Sequence, residues 1–430
     1  MLERYFGLTE HGTTVRTEVL AGVTTFLTMA YIIFVNPLIL GDAGMDKGAV
    51  FVATCIASAL ATIIMGLYAN YPLALAPGMG LNAFFTYGVV KGMHYTWQVA
   101  LGAVFISGVL FLLLSVTRVR EWVVNAIPQS QKLAISAGVG LFLALIALRG
   151  AGIVKASPDT LVTLGEVGAP SALLAMAGFL VMVALDRLRV PGAIIIAILA
   201  TTAVGIMFGI SKFGGIFSAP PSLAHTFLQL DLAGAINIGV VSIIFVFFFV
   251  DLFDNTGTLV GVAHRAGLIA KDGTIPRLGK AFIADSTATM VGALLGTSTV
   301  TSYIESAAGV RAGGRTGLVG VVVAVLFMLS LFLSPLATSI PEYATAPALL
   351  FVGCLMARGL AEIDWEDVTE YAPAVVTAIA MPFTFSIANG LALGFVAFAA
   401  AKLLSGRFSE AKPAMVVLAV LFVVRFAVLP

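Results

Sequence analysis

Residues 296–314 read GTSTVTSYIESAAGVRAGG. They lie between two long apolar runs, yet they are short and rich in threonine and serine, and they carry an acid, Glu305. A continuous membrane helix does not look like this. The β-branched and glycine content predicts an extended piece that passes into a half-helix near Ile304, with Ser302 or Thr301 placed to cap it. Backbone of that kind persists at membrane depth only where protein or a cavity satisfies its polar groups. A second stretch, PLALAPGMGLNAFFTYG at 72–88, is broken in the same way by Pro77, Gly78 and Gly80. Two interrupted segments at matching places in two halves of a chain are the sequence mark of an inverted-repeat transporter, and they point to its binding site.

The composition agrees. Of 430 residues, 60% are hydrophobic and 10% charged, against about 45–50% and about 25% in soluble domains. Apolar runs fall near 19–40, 49–69, 73–90, 97–117, 131–149, 169–188, 191–210, 235–256, 281–297, 300–312, 316–336, 346–361, 371–386 and 388–403. The expectation is an all-α polytopic membrane protein of about 14 transmembrane segments, two inverted sevens, with short extended pieces in segments 3 and 10. A further apolar piece at 413–429 contains Arg425 and is left open between spanning and lying along the interface. Asn82 follows Thr28 by 54 residues, and Glu305 follows Asp251 by 54, which pairs segment 1 with 8 and segment 3 with 10.

Charge fixes the expected orientation. Arg118, Arg120, Lys132, Arg187, Arg189, the stretch His264–Lys280, Arg311 and Arg315 occupy alternate connections, which should face the cytoplasm and place the N-terminus there. The charged start MLERYFGLTEHGTTVRTE precedes a long apolar run and does not resemble a cleavable signal. A net charge of +1 argues against a nucleic-acid partner, and Cys55 and Cys354, far apart and inside spans, predict no disulfide.

The stretch FFFVDLFDNTGTLVG at 247–261 places Asp251 and Asp254 in segment 8, with Asn255 and Thr258 on the same helical face. Carboxylates within a span mark substrate or ion pathways, unless they sit on a solvated end of the helix. Glu305, in the first turn of its half-helix, suits the helix dipole, and Asn82 in the partner half-helix offers both a donor and an acceptor. A flat heterocycle with adjacent donors and acceptors fits this set, with Phe84, Phe253 and Tyr303 as candidate stacking faces. An inorganic anion is repelled by Asp251 and Glu305. A carboxyl group moved out of water holds its proton more readily, so Asp251, Asp254 and Glu305 are the candidates for proton coupling. An intramembrane enzyme or a channel fits two interrupted segments less well than an alternating-access carrier.

Together, YFGLTEHGTTVRTEVLAGVTTFLTMAYIIFVNP, PGMGLNAFF, FVDLFDNTGTLVG, TSTVTSYIESAAGVRAGGRTGL and MPFTFSIANGLALGF resemble the nucleobase–cation symporter family of xanthine/uracil permeases, in its azaguanine-permease-like branch. The resemblance runs over nearly the whole chain. It implies a core domain from residues 1–118 and 231–336, a gate domain from 119–230 and 337–430, and an elevator mechanism. It also implies a plasma (inner) membrane location and a homodimer formed through the gate. By the same resemblance Asn82, Asp251 and Glu305 contact a purine nucleobase, with Gly80, Tyr303 and Thr28 around them, and Asp254 serves transport. The expected partners are therefore the purine, a proton and the lipid bilayer, with no cofactor, no metal and no catalytic residue. Links between the two bodies are expected around 118–132 and 337–346, with Pro128, Pro335 and Pro341.

Overall fold

The computed structural model describes residues 2–117, 127–268 and 275–428. Among these, ten helices are long and apolar enough to cross a membrane, and three more apolar helices are shorter. The first segment is a broken helix, α1 (Val15–Met29) and α2 (Ile32–Gly41), and α3 (Lys47–Ile64) is the second. Segment 3 begins as strand β1 (Leu75–Pro77), turns into the short helix α4 (Met79–Ala83) and continues as a wider π-type turn to Gly92. Then come α5 (Trp97–Thr117), α6 (Gln129–Gly150), a hairpin of β2 (Val154–Ser157) and β3 (Leu161–Leu164), α7 (Pro170–Arg187) and α8 (Ala193–Met207).

The second half repeats this order. Helix α9 (Ile238–Arg265) is followed by α10 (Leu278–Leu295), strand β4 (Val300–Ser302) with half-helix α11 (Ser306–Arg311), and α12 (Leu318–Ser330). Helices α13 (Glu342–Ala357), α14 (Val368–Phe383) and α15 (Ile387–Leu404) complete the second seven, and α16 (Pro413–Val428) follows against α15.

The two broken segments meet in the middle. Strands β1 and β4 pair antiparallel, with Leu75 opposite Ser302, Ala76 opposite Thr301 and Pro77 opposite Val300. Every such residue is buried, so the ladder and its flanks have to satisfy the backbone without water. The amide of Gly78 donates to the Thr299 carbonyl at 2.9 Å and that of Tyr303 to the Ala74 carbonyl at 2.9 Å. Ser306 Oγ accepts the Ala74 amide at 3.0 Å, and Thr62 Oγ1 accepts that of Leu75 at 2.9 Å. One of these hydroxyls, Ser306, follows the extended piece of its own segment, and the other, Thr62, is supplied by α3.

Packing sorts the helices. α10 lies against α5 and α3; α12 against α1 and α3; α11 against α1. Separately, α13 lies against α6, α7 and α8, and α14 against α15 and α6. Where α6 crosses α13, Gly140 and Gly353 face each other so closely that a Cβ on Gly353 would stand 2.5 Å from the Gly140 carbonyl oxygen. Small residues permit that backbone approach in membranes.

Helix α9 runs on to Arg265, so Asp251 and Asp254 are mid-helix and not on its solvated end. The flanking Phe247, Phe248, Phe249 and Val250 are buried among neighbouring helices. Cys55 and Cys354 are free, as expected. Arg118 and Arg120, and part of the anticipated link at 118–132, lie outside the described residues.

Candidate substrate site at the crossing of two broken segments

Glu305 stands at the start of α11 as its N-cap residue, with helical backbone angles and no side-chain capping bond. Neither expected cap is used: Ser302 Oγ donates to Asp285 at 3.2 Å, and Thr301 Oγ1 is buried without a hydrogen bond. The Ser306 and Ala307 amides already donate to the Tyr303 and Ile304 carbonyls at 3.1 and 3.0 Å, so the first turn closes on backbone and takes no side-chain cap. The carboxylate of Glu305 is left to project from the helix start, where Tyr31 Oη donates to its Oε1 at 2.7 Å. The Thr28 hydroxyl lies 3.5 Å from the Glu305 carbonyl oxygen, but its proton serves the Thr25 carbonyl at 2.8 Å.

Asp251 approaches from α9 and is 1% exposed, accepting from Thr289 Oγ1 at 3.3 Å. Asn255 and Thr258 share its inward face and are buried, whereas Asp254 is exposed. Four residues turn a helix about 40° past a full turn and three leave it about 60° short, which puts Asp254 well round from Asn255. From there it lies within electrostatic range of both Glu305 and Tyr303. Asp254 therefore belongs to the same neighbourhood while remaining exposed.

Asn82 comes from α4 and is fully buried. Its Oδ1 accepts from Ser298 Oγ, while its Nδ2 has no hydrogen-bond partner. A buried amide donor left open is costly unless a ligand completes it. Tyr303, 5% exposed, spends its hydroxyl on the Pro77 carbonyl at 2.6 Å and ties the two broken segments together. Gly80 faces α6: a Cβ there would stand 2.3 Å from Val139 Cγ1. Phe84 is fully buried against Phe247, with ring centroids 5.0 Å apart, and is a packing group here.

The structure adds residues that the motifs did not single out. Asp285 on α10 is fully buried, accepting from Asn255 Nδ2 and from Ser302 Oγ. Thr289, one turn further along α10, reaches Asp251 and also the Val300 carbonyl at 3.0 Å. Tyr31 and Ser298 complete the set. The signal for Asp285 was present, an acid within the ninth apolar run. The candidate site is thus a set of carboxylates on α9, α10 and the start of α11, together with the open amide donor on α4.

Residues 16–393 match the Permease family that groups xanthine and uracil permeases. The chain belongs to this family. It is 49% identical over 425 residues to "Adenine permease AdeP" of Escherichia coli K12, covering 99% of this chain and 96% of that protein. It is 45% identical over 437 residues to "Guanine/hypoxanthine permease PbuG" of Bacillus subtilis 168, covering 99% of each. Among solved structures, the transmembrane domain of the cyanobacterial bicarbonate transporter BicA superposes with a TM-score of 0.66 at 16% identity, over 86% of this chain and 96% of that one. That likeness concerns the fold. The permease is a multi-pass membrane transporter and not an enzyme.

Proposed function

We propose that this permease imports purine nucleobases of the adenine, guanine and hypoxanthine class by proton symport and alternating access. The observation that carries the reading is the Glu305 carboxylate, presented by Tyr31 at the crossing of β1 and β4 with Asp251 and the open amide of Asn82 close by in the fold. Purines offer ring and exocyclic N–H donors to carboxylates and ring-nitrogen acceptors to an amide, and relatives named as adenine and guanine/hypoxanthine permeases support that choice. Asp254, exposed beside Glu305, is the proposed route by which a proton reaches the site.

In this reading the helices packed around α1, α3, α9 and α10 form a core, residues 1–118 and 231–336. Those around α6, α13 and α14 form a gate, residues 119–230 and 337–430. The core carries the site past the gate. Pro128, Pro335 and Pro341 stand in the links. The N-terminus is cytoplasmic, the membrane is the plasma (inner) membrane, and two copies associate through their gates.

The test is uptake of labelled hypoxanthine into proteoliposomes, with adenine, guanine, xanthine and uracil as competitors. Glu305→Gln and Asp251→Asn should each lose at least about tenfold in purine affinity, as expected when a charged acceptor is removed, while the protein remains folded in the membrane. Unchanged affinity in either variant removes that residue from the site.

A further inference from the structure

One stripe of helix α2 leads away from the Glu305 site. Tyr31, which bonds Glu305, begins it; Val35, Leu38, Ile39 and Asp42 follow at spacings of four, seven, eight and eleven residues, all on one helical face. At 1.5 Å per residue the stripe reaches about 16 Å from Tyr31 to Asp42. Its far end lines a cavity of about 260 Å³ between α2 and the helices α6 and α13. The floor is apolar, with Leu38, Ile39, Ile146 and Leu349, and the rim holds Asp42, Lys47, Tyr87, Thr345 and Glu342. In the orientation proposed above this is the outward side of the seam between core and gate.

The rim is arranged and not merely exposed. Tyr87 donates its hydroxyl to Asp42 Oδ2 at 2.8 Å and keeps its ring buried beside the cavity. Gly150 lets the Glu342 carboxylate lie over the end of α6: a Cβ there would stand 2.5 Å from Glu342 Oε1. Glu342 also feels Asp42, Lys47, Arg149 and Lys91, and Lys91 stands 3.9 Å from Asp42. Two carboxylates are offset by three cations, so neither an inorganic cation nor an anion is strongly favoured. A neutral polar molecule is. The volume lies just below the roughly 300 Å³ at which pockets begin to take drug-sized ligands, which suits a single heterocycle with an apolar face and a donor-rich edge.

We propose that this cavity is an entry site for the nucleobase, separate from the Glu305 site, in which Asp42 and Glu342 accept N–H groups over the floor of Leu38 and Ile39. The proposal takes its ligand class from the transport function proposed above. In alternating access it holds substrate at the seam while the inner site faces the other way.

The test uses the full chain in proteoliposomes with Cys354→Ser and Leu38→Cys, reacted from outside with a membrane-impermeant maleimide. Lys47→Cys at the rim serves as a second reporter. Hypoxanthine, adenine and guanine are the probes. Saturating purine should slow labelling at least about fivefold, and should still do so after Glu305→Gln; Glu342→Gln should raise the half-protecting concentration about tenfold. Absence of protection at both reporters while purine uptake persists overturns the entry site alone. Protection that disappears with Glu305→Gln also overturns it, because the effect then comes from movement set off at the inner site. Protection without any purine uptake by the parent protein overturns the transport reading and keeps the cavity as a purine site.

Discussion

Asp285 is held by an amide and a hydroxyl from two different elements, Asn255 of α9 and Ser302 of β4, so it fixes to α10 both α9, which carries Asp251, and β4, which leads to Glu305. Hydrogen bonds to a charged group contribute about 1.5–3 kcal/mol each, so Asp285→Asn should lower initial purine uptake about tenfold or more, with the protein still present in the membrane. Thr289 is the finer probe. Its single hydroxyl proton is shared between Asp251 at 3.3 Å and the Val300 carbonyl at 3.0 Å, and Thr289→Val keeps the shape while removing it. Losing a neutral bond of about 1 kcal/mol should raise KM several-fold with maximal uptake largely kept. A Thr289→Val protein that loses maximal uptake with KM unchanged would place Thr289 in the moving parts and not in support of Asp251.

At the scale of elements, the joint between α14 and α15 is tied by ions. Lys402 is 1% exposed and reaches Glu370 and Glu410 at 2.6 Å each, with Asp367 at 3.7 Å, and Arg407 pairs with Asp367 as well. Removing one partner from a buried pair costs about 3–5 kcal/mol. Glu370 and Glu410 are 23% and 50% exposed, so Lys402→Met should lose less, about 2 kcal/mol, read as a lower Tm in detergent. The Thr369 hydroxyl and amide, with Arg407 and Lys402, hold the Asp367 carboxyl down to about 2, and Lys402 holds Glu410 below the usual carboxylate range. Depressed values mean that this stability is complete above the ordinary carboxylate value of about 4 and is lost as pH falls towards 2. Tm should therefore fall as the pH drops from about 4 towards 2, and Asp367→Asn should start lower at neutral pH and fall less. The broken segments were legible in the sequence because Pro77, Gly78 and the threonine run at 297–301 have no place in a continuous helix, and Asp251 and Glu305 because an acid within an apolar run must have a partner. Other features were not legible. Glu305 as an uncapped helix start depends on which residue of SYIE first turns helical, and the exposure of Asp254 depends on a rotation that its spacing from Asp251 leaves open. Tyr31 and Ser298 have no local signature, since their roles come from segments 274 and 216 residues away.

For the whole molecule, the proposed mechanism makes two demands, one on energy and one on motion. Moving one charge through about 100 mV contributes roughly 2.3 kcal/mol, a ratio of several tens in concentration, so one proton per purine suffices for accumulation. Uptake into sealed proteoliposomes should rise with an inside-alkaline gradient and collapse with a protonophore; uptake that follows sodium and ignores the protonophore would replace the coupling ion while leaving the purine site in place. The second demand concerns the seam. Asp251, Asp285 and Glu305 all belong to one packing group of helices, and the contact of Gly80 with Val139 lies on its boundary with α6. A Cβ on Gly80 would stand 3.8 Å from the Cβ of Val139, the mean separation of about 3.8 Å found across disulfides. Gly80→Cys with Val139→Cys, in a Cys354→Ser background, should therefore cross-link under mild oxidation. If the core must slide past α6 in each cycle, the oxidised protein should stop importing purine, and dithiothreitol should restore uptake to the level of the reduced double variant. That reduced level is the control, because a side chain at position 80 crowds Val139 even without the bond. A fully cross-linked protein that imports at the reduced rate would show that α4 and α6 stay together through the cycle, and alternating access would then have to come from motion elsewhere than this seam.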